Sequence, residues 1–207
     1  MVKTAKEARD ELKKIGYNCT LINARFAKPF DEEKIKELAE EHKLIVTLEE
    51  GVESIGHNAF RECDTVEYIT IAETVTKIGN NAFQYCHALS SANFPLVTSV
   101  GSNAFDYCIS LIDAKIPLLT SIGVSAFGHC EALTTVDFPM VTTMDTNAFQ
   151  GSYALASVNI PLITNISDRA FWQCHALTSV DFPLATSIGK QAFAYCMTLS
   201  NVNTPLV

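Results

Sequence analysis

Basic charge is scarce in this sequence. Its 15 Lys and Arg stand against 23 Asp and Glu, a formal net charge of −8 over 207 residues. Nucleic acid and anionic membrane both call for a basic patch, so neither is an expected partner. Long apolar runs are missing as well. No stretch reaches the roughly 18 residues needed to cross a bilayer, so membrane insertion is not expected. The N-terminus carries no apolar segment of the signal-peptide kind, which makes the chain, as given, an expected cytoplasmic protein. Neither Cys-x-x-Cys nor His-x-x-x-His occurs, so no zinc site of ordinary spacing is expected.

Charge is also unevenly spread. Residues 1–50 hold 21 of the 38 Asp, Glu, Lys and Arg residues. In that segment, Thr4 to Ile15 has helical spacing of Ala5, Ala8, Leu12 and Ile15, with Thr4 and Glu7 as a capping box and Gly16 as the stop. Tyr17 to Asn23 reads as a strand, Glu32 to His42 as a second helix and Lys43 to Leu48 as a second strand. Together they predict a right-handed βαβ unit with parallel strands. The runs Leu21 to Glu33 and His42 to Glu50 resemble the C-terminal, transketolase-type domain of 1-deoxy-D-xylulose-5-phosphate synthase. That resemblance implies a borrowed structural fragment. The family's cofactor and substrate sites belong to its other domains, so no catalytic or cofactor-binding residue carries over, and Arg25, Lys28, Glu49 and Glu50 read as a solvated remnant.

From residue 50 onward an Ala-Phe pair recurs, with Phe at 60, 83, 105, 127, 149, 171 and 193. The first step is 23 residues and the other five are 22, a period typical of leucine-rich-repeat solenoids. Three residues after each Phe stands Cys, replaced once by Ser152. Six after it stands Val66, Leu89, Leu111, Leu133, Leu155, Leu177 or Leu199, followed by an alternating pair such as Val136 and Phe138 and then by Pro. Period-two alternation predicts one short strand per repeat, in a parallel sheet on the concave face, with Pro ending each strand. The Ser-Ile-Gly-x-x-Ala-Phe segment is expected to return as a short helical stretch. The template resembles BspA-like leucine-rich repeats of bacterial and protozoan surface proteins. This implies a non-catalytic role in adhesion or other protein binding, with export signals that this chain does not show.

The expected fold is therefore an α/β chain: an N-terminal cap over residues 1–50 and a curved right-handed solenoid over 51–207, seven units with the last incomplete. Val46 is expected to take the strand slot that Ile69 holds one repeat later, so that the cap's last strand starts the sheet and protects its edge. The Cys column reads as small buried hydrophobes, with occasional disulfides as the alternative. The strands present small polar residues outward, such as Thr135 and Asp137. Just before them lies a rim of Tyr85, Tyr107, His129, Tyr153, Trp172 and Tyr195, the residue types that dominate protein interfaces. Either this rim is a contact surface for a protein partner, or its rings stack on one another along the solenoid. A homodimer paired through the C-terminal edge is a further expectation, and a residual synthase fragment is the remaining alternative.

Overall fold

The computed structural model describes residues 44–46, 53–64, 66–71 and 74–207. The helices expected at 4–15 and 32–42 and the strand at 17–23 lie outside them, and so does most of the cap. The described residues form a parallel β-solenoid of fifteen strands, numbered in chain order, without a helix among them. Odd-numbered strands are three residues long: β1 (Leu44–Val46), β3 (Tyr68–Thr70), β5 (Ser91–Asn93), β7 (Asp113–Lys115), β9 (Thr135–Asp137), β11 (Ser157–Asn159), β13 (Ser179–Asp181) and β15 (Asn201–Asn203). Each pairs in parallel with its counterpart one coil away, as in Ala92↔Ala114 and Val136↔Val158. Their central residues Ala92, Ala114, Val136 and Val180 are buried, while Asn93, Lys115, Asp137 and Asp181 face water.

One sheet is expected from the pattern, and the chain builds a second. Even-numbered strands of two residues, β2 (Ser54–Ile55), β4 (Lys77–Ile78), β6 (Ser99–Val100), β8 (Ser121–Ile122) and β10 (Thr143–Met144), form a continuous parallel sheet. Farther along, β12 (Asn165–Ile166) pairs with β14 (Ser187–Ile188) in the same manner. Each coil thus has two walls, and the aliphatic residue of the Ser-Ile pair closes the second wall over the core.

The expected helical return is also corrected. The Ala-Phe segments are turns with two left-handed residues each, at two before and two after every Phe, with φ between 51° and 70°. A helix would bond each N–H within its own coil. Here the Phe83 N–H donates to the Ala104 carbonyl of the next coil (2.7 Å) and the Tyr85 N–H to Asp106 (2.9 Å). The intervening Gln84 and Cys86 N–H groups donate within the coil, to Asn81 and Phe83. The same alternation repeats at Phe105, Phe127, Phe149 and Phe171. Left-handed residues cost about 1–2 kcal/mol each outside Gly, with Asn the most tolerant. Asn58, Asn81, Asn103 and Asn147 occupy the left-handed position two before Phe. The coil-to-coil bonds offset the strain, because N–H groups such as those of Phe83, Tyr85, Phe105 and Tyr107 find acceptors on the next coil.

The start of the sheet differs by one residue. β1 does pair with β3, but Ile45, and not Val46, lies opposite Ile69. Ile45 precedes its Phe by one residue more than Ile69 does, so the passage from β1 to the first Ala-Phe turn is longer by one.

The core is a file of phenylalanines. Rings 60, 83, 105, 127, 149, 171 and 193 stack with centroids 5.1 to 5.6 Å apart and planes within 12° of parallel. A second file alternates by coil: Phe94, Ile116, Phe138, Ile160, Phe182. Three residues on, the partner in the same coil alternates in the opposite sense: Val97, Leu119, Val141, Ile163, Ala185. Coils with the larger ring take the smaller neighbour, which keeps volume per coil level, as close packing demands.

Candidate interaction surface

The six rim residues sit in the turns between Phe and the next odd-numbered strand, in three different slots. Tyr85, Tyr107, His129 and Tyr195 are two after their Phe, Trp172 is one after, and Tyr153 is four after. The left-handed backbone at Tyr85 (62°), Tyr107 (60°) and His129 (52°) is bonded coil to coil, so it repeats one side-chain direction at the strand spacing. The rings accordingly stack, Tyr85 on Tyr107 at 5.1 Å and Tyr107 on His129 at 4.1 Å. Arg61 extends the column, its guanidinium carbon 5.9 Å from the Tyr85 ring centre.

Beneath the column lies a buried polar link. Asp106 is only 7% exposed. Its Oδ1 is 3.0 Å from His129 Nδ1, and its Oδ2 accepts from Gln84 Nε2 at 3.1 Å. Two glycines make room. A Cβ at Gly128 would meet Asp106 Oδ1 at 2.7 Å, and one at Gly151 (φ +70°) would meet His129 Cδ2 at 2.8 Å. Burial, followed by the Asp106 charge, pushes the Tyr107 phenol up from its ordinary value, so it stays a neutral donor.

The structure therefore joins three of the six rim residues into one column. Tyr153 instead stacks on His175 at 4.9 Å, and Trp172 meets Tyr195 edge-on at 5.7 Å. Arg61, Asp106, His175 and Gly151 belong to these groups and were not among the sequence candidates. Their only signal is slot alignment: Asp106 and Trp172 share one slot, and His129 and Gly151 the next. The other described histidines also tie coils together, His87 Nδ1 to Asp64 at 2.8 Å and His57 Nδ1 accepting from the Asn80 N–H at 2.9 Å.

The described cysteines are all free thiols. Cys63 donates to the Arg61 carbonyl of its own coil at 3.9 Å, and each of the others donates to a carbonyl of the preceding coil: Cys86 to Phe60 at 2.9 Å, Cys108 to Phe83 at 3.1 Å, Cys130 to Phe105 at 3.2 Å. Ser152 reproduces this bond to Phe127 at 3.0 Å, which explains why Ser fits the slot. No cluster of three metal-ligating side chains occurs among the described residues. Burial pushes the thiols of Cys86, Cys108, Cys130, Cys174 and Cys196 up from the ordinary value of 9.0. Because the folded thiols hold their protons to higher pH than unfolded ones, their contribution is complete below pH 9 and is lost as pH rises above it. Urea midpoints should fall above that pH. Cys130→Ser should leave stability near wild type and blunt the alkaline loss, whereas Cys130→Ala should cost about 0.5–1.5 kcal/mol by removing one of the two bonds that the Phe105 carbonyl accepts, the Cys108 N–H keeping the other at 3.1 Å.

Comparison with known proteins finds two families along the chain, their matches overlapping over residues 43–60. The family described as Transketolase, C-terminal domain, matches residues 1–60. The 1-deoxy-D-xylulose-5-phosphate synthase of Lachnoclostridium phytofermentans is 48% identical over 56 residues, which is 27% of this chain and 9% of the synthase. A Synechococcus synthase is 51% identical over 51 residues, 25% of this chain and 8% of the relative. The chain thus spans under a tenth of the curated relatives it matches. Among solved structures, a leucine rich cell surface protein from Faecalibacterium prausnitzii is 34% identical with a TM-score of 0.68, over 78% of this chain and 47% of that one. A leucine-rich repeat protein from Bacteroides ovatus is 30% identical with a TM-score of 0.72, over 78% of this chain and 45% of that one. The pattern of the BspA type Leucine rich repeat region matches residues 43–155 and again 98–206. With repeats of that pattern over most of its length, the chain belongs to the BspA-type leucine-rich-repeat family.

Proposed function

We propose that the chain is a non-catalytic scaffold that binds another protein through its ring-bearing turns. The observation that carries this reading is the column of Tyr85, Tyr107 and His129, stacked at 5.1 and 4.1 Å and still partly open to water. Stacking supports a rigid platform: the rings have already lost their rotamer freedom before a partner arrives, and that cost is normally charged to binding. Tyr195, 60% exposed, and Tyr153, 37% exposed, extend the surface toward the C-terminal coils. The cell-surface description of the Faecalibacterium prausnitzii protein adds an adhesive role as the finer form of this proposal.

The test starts from a binding protein selected against the intact chain from a displayed library of bacterial surface domains. Tyr107→Ala with Tyr195→Ala should weaken that complex by roughly tenfold or more, the scale of interface hot spots. Ser157→Ala with Ser179→Ala, on the sheet face, should leave it unchanged. If the ring variant unfolds, or both variants bind like wild type, the rim is structural and the proposal fails.

A further inference from the structure

Fifteen large apolar side chains are well exposed among the described residues, and six of them occupy a single slot. Leu96, Leu118, Met140, Leu162, Leu184 and Leu206 each follow the strand-ending Pro, and each is 36% to 58% exposed. Six rungs at the parallel-strand spacing make a continuous ladder roughly 25 Å long. Beside it runs a column of Thr whose hydroxyls are already used. Thr98 donates to the Thr76 carbonyl at 3.2 Å, Thr120 to Thr98 at 2.9 Å and Thr186 to Thr164 at 3.1 Å. No charged residue falls within 95–100, 117–122, 139–144, 161–166 or 183–188. In a chain of net charge −8, a neutral apolar stripe of this length marks an interaction surface.

We propose that a second copy of this chain covers the ladder, in an antiparallel two-fold dimer whose axis crosses between Met140 and Leu162. A ladder of equal rungs is complementary to its own reverse, so Leu96 meets Leu206, Leu118 meets Leu184 and Met140 meets Leu162. The charges beside the ladder select this register. Two residues before each Pro, and exposed, stand Asn93, Lys115, Asp137, Asn159, Asp181 and Asn203. An in-plane two-fold axis perpendicular to the ladder keeps this column on the same side in both copies and reverses its order. Lys115 then faces Asp181 of the second copy, twice by symmetry, and Asp137 faces Asn159. A shift of one rung either way sets Asp137 against Asp137 or against Asp181. The stripe lies at the small end of specific interfaces, which fits a dimer that forms in the micromolar range. This surface is separate from the ring-bearing turns.

Sedimentation equilibrium of the full chain over rising concentration tests the dimer. The mass should climb from 22.7 kDa toward twice that value. Leu118→Lys with Leu184→Lys should raise the dissociation constant roughly a hundredfold or more, because two apolar contacts become like-charge contacts. Both side chains are exposed in the single chain, so melting temperature and circular dichroism of the monomer should not change. Lys115→Asp should weaken the dimer roughly threefold or more, and Asp181→Lys added to it should restore wild-type association. A wild-type chain that stays at 22.7 kDa at its solubility limit overturns the proposal. A dimer indifferent to the lysine pair overturns it too and points to another surface, such as β15. Failure of the charge swap to restore association overturns the antiparallel register.

Discussion

Phe127→Ala should lower the free energy of unfolding by about 4–5 kcal/mol, and Phe193→Ala by about half as much. Phe127 is fully buried and lies between Phe105 at 5.2 Å and Phe149 at 5.5 Å, with Phe138 at 5.6 Å. Truncation there forfeits the transfer energy of a whole ring, leaves a cavity in a file that cannot collapse along its axis, and removes contacts on both faces. Phe193 stacks on Phe171 alone within the file, at 5.6 Å, and is only partly buried. In a solenoid, stability is approximately a sum over coils and their interfaces, so a central break uncouples two halves while a terminal break shortens one. Native domains hold only about 5–15 kcal/mol in all, which makes the central variant marginal at room temperature. Urea unfolding of the two variants gives the comparison directly. Equal costs would mean that stability is not carried coil by coil.

Gly123→Ala should cost about 1–3 kcal/mol or more, while Gly56→Ala should be silent. Both glycines fill the same slot of the Ser-Ile-Gly motif. A Cβ on Gly123 would stand 2.7 Å from Gly101 C and Ser102 N, and one on Gly101 would stand 2.8 Å from Gly79 C. These obstacles are backbone, so they do not move aside as a flexible side chain would. At Gly56 a Cβ meets nothing within 4 Å. Asp145 and Ser167 fill this slot in the next two coils, where the backbone accommodates their Cβ atoms; the crossing is tight from Gly79 to Gly123 and again at Gly189, where a Cβ would stand 2.6 Å from Ser167 C. Thermal unfolding of the pair separates crowding from glycine flexibility. Substitution at Gly56 would also cost stability if flexibility were what the slot required.

Much of this fold is legible because stacking repeats each requirement. The Phe file, the Cys column, the buried strand centres and the Pro stops recur at one period, so each is visible several times over. The second sheet was not legible, since a two-residue strand such as Ser121–Ile122 is too short to show alternation. The turns were misread because Ala and Phe carry no sign of left-handed backbone. The four Asn residues two before Phe did carry that sign. The β1 register was beyond the pattern because Leu44, Ile45 and Val46 are all apolar and give no parity. For the rim, the residue types could be read but their grouping could not. Stacking depends on the slot, and Asp106 reaches His129 from one slot into the next coil.

Amide hydrogen exchange measured residue by residue tests the central claim, that coils are held to one another through the Ala-Phe turns. The N–H groups of Phe105, Tyr107, Phe127 and His129 donate to the following coil and should be strongly protected. Those of Gln191, Phe193 and Tyr195 have no following coil among the described residues and should exchange far faster. Equal protection in the last coil, or free exchange at the inner turns, would contradict the account.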